Sequence, residues 1–234
     1  MSAAFLAEFE DRRRQVRHYL AIVLAAERRA AIGKVSKAHE RRLLTLRAGS
    51  FLLLYNLIEA TIRGAIDAIH DQIVTERVSF ELLTLEMRKE VMRRFILDAT
   101  PAKHHTMVEF PIEFVAIALD QGIKLAGNVD ARLIRKLSSV YGFSSATSAD
   151  RTWNGSDLRT VKDKRNALSH GFQSYEDIGR DYPAGELLAI TRRSLAYISE
   201  ILKNISTYLD DQQYMQASTD SADVPHDLVS DGAS

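Results

Sequence analysis

The sequence has no cysteine, four prolines and a single tryptophan among 234 residues. Without cysteine there is no disulfide framework, no thiolate nucleophile and no cysteine-ligated zinc or iron–sulfur site. A reducing cytoplasm is the expected compartment. Long apolar runs are also missing. Stretches such as 51–55 and 21–26 fall far short of the roughly 20 residues that cross a bilayer, so no membrane partner is expected. A secretory leader is not expected either, because Glu8, Glu10 and Asp11 precede Arg12, Arg13 and Arg14 where a basic and then apolar segment would stand. Alternating runs of β-branched or aromatic residues are few, which argues against a sheet of any size.

What is present is enough apolar material for a sizeable core. Hydrophobic residues make up 46% of the chain and charged residues 26%, the composition of one globular domain with an extension. The net charge of zero hides a polarity: the first 209 residues hold all 31 basic residues but 25 of the 31 acidic ones, a net +6. A modestly basic body attracts an anionic polymer, and an acidic tail competes for the same surface. An ordinary solvated surface with a frayed end has the same composition.

Periodicity of three and four residues predicts a helix over 3–32, on Phe5, Leu6, Phe9, Val16, Leu20, Val23 and Leu24, ended by Gly33. Ser36 is a candidate cap for a long central helix over 37–74, built on Leu43, Leu46, Leu53, Leu54, Leu57, Ile58, Ile62, Ile66 and Ile69. A third helix is expected over 79–97, a connection over 99–111, and a shorter helix over 130–141 after the turn-like Gly127-Asn128. A Ser-rich loop over 144–155 leads into a helix over 156–170, stopped at Gly171. A Gly- and Pro-bearing link over 179–185 precedes the last helix, which ends near Leu209. Residues 211–234 carry no periodicity and read as disordered.

The densest chemistry lies in Lys162-Asp163-Lys164-Arg165-Asn166-Ala167-Leu168-Ser169-His170-Gly171. A histidine moves protons near neutral pH, and a guanidinium holds phosphate oxygens and the charge that builds on them. RNA brings its own nucleophile, the 2′-hydroxyl, so such a set can cleave it without metal or cysteine and leave a 2′,3′-cyclic phosphate and a 5′-hydroxyl. On one helix, however, residues five apart point about 140° apart. Arg165 and His170 therefore converge only through unwinding near Gly171 or through a second copy of the site across a two-fold axis. Asn166, four residues before His170, shares its face and is placed to orient the imidazole. Lys162 and Lys164 are candidate RNA contacts.

The spacing Arg-Asn-(three residues)-His-Gly resembles the RxxxxH signature of the HEPN (higher eukaryotes and prokaryotes nucleotide-binding) superfamily. Asn56-Leu57-Ile58-Glu59, Gly127-Asn128-Val129-Asp130 leading to Tyr141-Gly142, and 172–180 after the motif make it similar to the MAE-like bacterial subgroup, from roughly residue 40 to 209. The resemblance implies an all-α, up-and-down helical bundle that dimerises around the motif, often with RNase activity and often encoded in toxin–antitoxin or antiviral loci. It implies Arg165 and His170 as the catalytic pair, Asn166 as the polar residue beside the arginine and Glu59 as an acidic residue from the other core helix. No cofactor and no metal are expected. The division that follows is an N-terminal helical extension over 1–36, a HEPN-like domain over 37–210 and an acidic tail over 211–234.

Plainer roles compete for the same residues. Arg165 can pair with Asp163 or a carboxylate on a neighbouring helix, His170 can be no more than a helix cap, and Glu59 can be a salt-bridge partner. His104-His105 reads as loop rather than metal site. Lys34, Lys37, Arg41 and Arg42 read as solvated surface, and Trp153 as an anchor pinning its loop to the core. Two functions follow from different classes. One is a metal-independent endoribonuclease acting as a homodimer on RNA. The other is a non-catalytic dimer that binds a nucleotide or a partner protein such as an antitoxin or a defence ATPase.

Overall fold

The computed structural model describes residues 2–33, 36–98, 112–120, 122–123, 125 and 127–216. Helix α1 (Ser2–Ile32) and helix α2 (Lys37–Thr75) are joined by so few residues that the chain must double back, and they form the most extensive helix pair. Ser36 caps α2 as its residue type predicts, its hydroxyl accepting the His39 amide at 3.3 Å. The apolar stripe read from α1 is the buried one: Phe5, Phe9, Val16, Leu20 and Val23 all enter the core.

Helix α2 is the spine. Its buried residues occupy most of its circumference, because α1, α7 (Ser156–Ser169), α8 (Tyr175–Asp181) and α9 (Ala184–Asp210) all pack on it. One 18-residue window of α2 is apolar enough to cross a membrane, with half of it buried inside the protein, the pattern of a core helix. The remaining helices are α3 (Leu85–Asp98), α4 (Ile112–Leu119), α5 (Ala131–Tyr141) and the short α6 (Ala149–Thr152). Among the described residues every regular element is helical, and the only β-type pairing is a single bridge between Leu83 and Met215. The fold is an all-α bundle.

Several local expectations need correction. The third helix begins at Leu85 rather than 79, behind a 3₁₀ turn over Phe80–Leu82. Helix α4 was not expected: its run is apolar nearly all round, so it carries no amphipathic period, yet Phe114, Val115, Ala118 and Leu119 are buried. The 99–111 connection and His104-His105 lie outside the described residues. The 144–155 loop contains α6 and a 3₁₀ turn over Trp153–Gly155. Gly179 opens no link but sits inside α8, where a Cβ would stand 2.1 Å from the Leu44 carbonyl oxygen. Its lack of a side chain lets α8 press directly on the α2 backbone.

Residues 211–216 also depart from the expected disorder. Thr84 N–H donates to Tyr214 O at 2.9 Å and Gln216 N–H to Leu82 O at 2.8 Å, which fixes this segment across the start of α3. Tyr214 is fully buried, with its hydroxyl on Glu76. The rest of the acidic tail lies outside the described residues.

One buried polar cluster went unread in the sequence. His70 Nε2 lies 2.9 Å from the Tyr141 hydroxyl, which accepts from Arg94 Nη2 at 3.0 Å, and Arg94 Nε donates to Glu90 at 2.8 Å. Burial, aided by the Arg94 cation, pushes the His70 pKa down to about 3. The unfolded chain therefore takes up a proton below about pH 6.5 that the folded chain refuses until about pH 3, so stability falls as the solution is acidified through that window. Although burial pushes it up, Glu90 is held low by Arg93 and Arg94, so its own loss comes at more acid pH. Between pH 6.5 and 5, wild type is expected to lose roughly 1.5 kcal/mol relative to His70→Gln in urea unfolding. Parallel pH profiles for the two proteins would show that His70 titrates freely in the fold.

Candidate functional site

The motif helix α7 lies against α2 with its last two turns beside Tyr55 and Glu59. These two α2 residues are one turn apart and so present one face. Arg165 Nη2 is 3.9 Å from Glu59 Oε2, and the guanidinium carbon lies 4.4 Å from the Tyr55 ring centroid, over its face. Arg165 Nη1 donates to Asn166 Oδ1 at 2.9 Å and to Gly127 O at 3.4 Å. Glu59 also holds Arg63, one turn further along α2, at 2.8 Å. The plainer possibility for Arg165 is thus partly realised, since its carboxylate is on a neighbouring helix and is not Asp163. A guanidinium has five N–H donors, and these contacts orient it without using them all.

The turn over 127–130 closes the other side. Val129 N–H donates to the Tyr55 hydroxyl at 3.0 Å. Asp130 caps α5 by accepting the Arg132 and Leu133 amides through Oδ1, both at 3.0 Å, and Lys162 donates to its Oδ2 at 2.6 Å. Burial pushes the Asp130 pKa up, but the Lys162 ammonium and the capped amides outweigh it and hold it below the usual carboxylate range. The Tyr55 pKa is raised by burial, with the Glu59 carboxylate adding to the rise and the Val129 amide opposing it. Lys162 is therefore committed to Asp130. Lys164 is half-buried, with Nζ on Gln173 Oε1 at 3.1 Å and 5.5 Å from the Tyr182 ring centroid.

His170 stands at the far end of α7. The helix finishes in a Schellman arrangement, with Gly171 N–H on Leu168 O at 3.2 Å and Phe172 N–H on Ala167 O at 2.9 Å, closed by the left-handed Gly171 at φ +70°. This is the left-handed helix end expected at Gly171. His170 caps through its backbone N–H, on Asn166 O at 3.0 Å. Its exposed imidazole makes no hydrogen bond among the described residues, and its ring centroid is 5.7 Å from that of Phe172, itself 80% exposed. Asn166 gives its side-chain oxygen to Arg165, so it positions the arginine where the helical face suggested the histidine.

One chain therefore gathers Arg165, Asn166 and Glu59 with the 127–130 turn on the inner side of α7, and presents His170 outward. Tyr55 was missed, although it stands four residues before Glu59, the spacing that puts both on one helical face. No group of three or more His, Asp or Glu side chains close enough to hold a metal ion occurs among the described residues.

A comparison with family models matches residues 1–214 to MAE_28990-like HEPN. The chain belongs to the MAE-like HEPN family. The match starts at residue 1, so it takes in α1, which the motifs carrying the sequence resemblance did not reach. In this HEPN chain, α1 is bound to α2 and α9 along their lengths, with Arg47 on α2 joining Glu27 of α1 at 2.8 Å to the Gly179 carbonyl of α8 at 3.3 Å. No curated protein and no solved structure matches the chain.

Proposed function

We propose that this HEPN protein is a metal-independent endoribonuclease that acts as a homodimer. The observation that carries the proposal is the split of the motif within one chain: a guanidinium oriented on Tyr55, Glu59 and the Gly127 carbonyl, and an unengaged imidazole facing out beside the exposed Phe172. A two-fold axis at the end of α7 buries Phe172 and sets His170 of one protomer against Arg165 of its partner. The 2′-oxygen of RNA attacks the adjacent phosphorus, giving its proton to the imidazole. The bond to the 5′-oxygen breaks and that oxygen takes a proton, while Arg165 holds the charge on the non-bridging oxygens. Lys164 adds to the field drawing the RNA in, and Lys162 holds the 127–130 turn in place.

A cytoplasmic toxin or antiviral effector fits the cysteine-free sequence and the family, with an antitoxin or defence partner to keep it quiet. The non-catalytic alternative, a dimer that binds a nucleotide or a partner protein, draws support from the Arg165–Glu59 pair, since an arginine neutralised in its own chain also suits a binding module. Incubation of purified protein with total RNA and tRNA in EDTA, with mapping of product ends, separates the two. Cyclic-phosphate ends are expected from wild type, and their formation is expected to slow about 10²–10⁴-fold in Arg165→Ala or His170→Ala. Intact RNA with a folded, dimeric wild type would favour the binding module.

A further inference from the structure

A cavity of about 660 Å³ opens between the start of α5, the turn over Trp153–Gly155 and α9. Arg132, Arg135 and Arg159 line it, all exposed. Tyr197 also lines it and is itself buried, yet its hydroxyl has no hydrogen-bond partner among the described residues. Burial pushes the pKa of this hydroxyl up and the Arg135 guanidinium draws it back. The hydroxyl is closed off from the cavity's solvent, so Tyr197 serves as a packed floor beside Arg135.

Trp153 gives this cavity an aromatic wall. The ring is 55% exposed, so it does not pin its loop to the core as expected from the sequence. It is nonetheless fixed: the Arg193 guanidinium carbon lies 3.7 Å from the ring centroid, and Asp157 clamps that guanidinium through Nε and Nη2. Trp153, Asn154 and Gly155 follow one another at φ +49°, +50° and +74°. Two of these are not glycine, and for a tryptophan in particular this left-handed backbone is uncommon. Thr152 Oγ1 on the Asn154 N–H at 3.2 Å and Arg135 Nη1 on the Asn154 carbonyl at 3.4 Å hold the turn.

A fixed aromatic plate with cations around it forms the recognition chemistry of a single-stranded nucleotide: a stacked base and a held phosphate. Three negative charges sit nearby, and each is answered, Asp157 by the Arg193 guanidinium on the Trp153 ring. Asp130 is paired with Lys162, and Asp163 lies 3.6 Å from Arg159 at the surface. The cavity also adjoins the cleavage site. Asp130 lines it while holding the motif helix, and Arg159 precedes Arg165 on α7 by about 9 Å of axial rise.

We propose that this cavity binds a nucleotide of the substrate RNA a short way along the strand from the cleaved bond, with the base on Trp153 and the phosphate among Arg132, Arg135 and Arg159. The assignment rests on the ribonuclease reading for its substrate. Its test is read by binding, so that the two fail separately. Trp153 is the only tryptophan of the chain, so its emission reports on this cavity alone. The full chain carrying His170→Ala, in which cleavage is slow on the timescale of the titration, is titrated with a five-nucleotide oligouridylate. Saturable quenching is expected. Adding Arg132→Ala, Arg135→Ala and Arg159→Ala should weaken binding at least about tenfold and flatten the salt dependence of log K by about two. Absence of quenching, or unchanged affinity in the triple-arginine variant, overturns the assignment even if wild type cleaves RNA. Quenching as strong with uridine monophosphate as with the oligonucleotide overturns the RNA strand as the ligand. Saturable quenching in a protein whose wild type cleaves nothing upholds the cavity and removes the ribonuclease reading instead.

Discussion

Arg165→Ala and His170→Ala dimers are each expected to cleave RNA about 10²–10⁴ times more slowly than wild type, the range for loss of a positioned proton-transfer or charge-stabilising group. An equal mixture of the two, allowed to exchange subunits, is expected to recover up to about a quarter of wild-type activity, since half the dimers become mixed and one of their two sites is whole. The reasoning is geometric. Residues five apart on α7 diverge by about 140°, Arg165 turns inward onto Tyr55 and Glu59, and His170 faces outward at the helix cap. A site drawn from one chain predicts no recovery on mixing, whatever the activity of each parent. A site drawn from two predicts recovery that vanishes when both substitutions are placed in the same chain and mixed with itself. The measurement is the initial rate on a labelled RNA before and after exchange, with dimerisation checked by light scattering.

The second large effect concerns stability. Gly179→Ala is expected to destabilise the fold by about 3 kcal/mol or more and to lower the melting temperature by about 10 °C. The added Cβ would meet the carbonyl oxygen, carbonyl carbon and Cα of Leu44 at 2.1, 2.6 and 2.7 Å. All three are backbone atoms about two turns into the central helix, so no rotamer change relieves the clash, and α8 must lift from α2. Lifting it would also strip Arg47 Nη1 from the Gly179 carbonyl, part of the joint between α1, α2 and α8. Thermal unfolding followed by circular dichroism measures this directly, and a melting temperature equal to that of wild type would show that the helices have room to part.

Gly179 also shows what could be read from the sequence and what could not. A glycine four residues before a proline looks like punctuation, and only the packing of α8 on α2 shows that it is a contact. The stripes of α1 and α2 were legible because a one-sided apolar face repeats at the helical period. The run that forms α4 was illegible because a short sequence apolar at nearly every position has no period. Of the candidate site, Arg165 with Glu59 and the 127–130 turn was legible as a set of motifs, and the structure brings those motifs together. The partner of Asn166 was misread, since the i, i+4 relation to His170 ignores the guanidinium next door. Buried polar clusters such as His70 with Tyr141 and Arg94 join residues far apart in the chain, and nothing local marks them.

The pinning of Tyr214 under α3 has a consequence for the protein while it is being made. The candidate site takes residues from three separate stretches, at 55–59, 127–130 and 162–170, and the bundle that aligns them is closed by hydrogen bonds from 214 and 216 to the start of α3. A nascent chain still short of these residues on the ribosome lacks the closing segment, and domains of this size fold as units. On the ribonuclease reading proposed above, such a chain would bring its site into line only after the last turn of the bundle has left the ribosome.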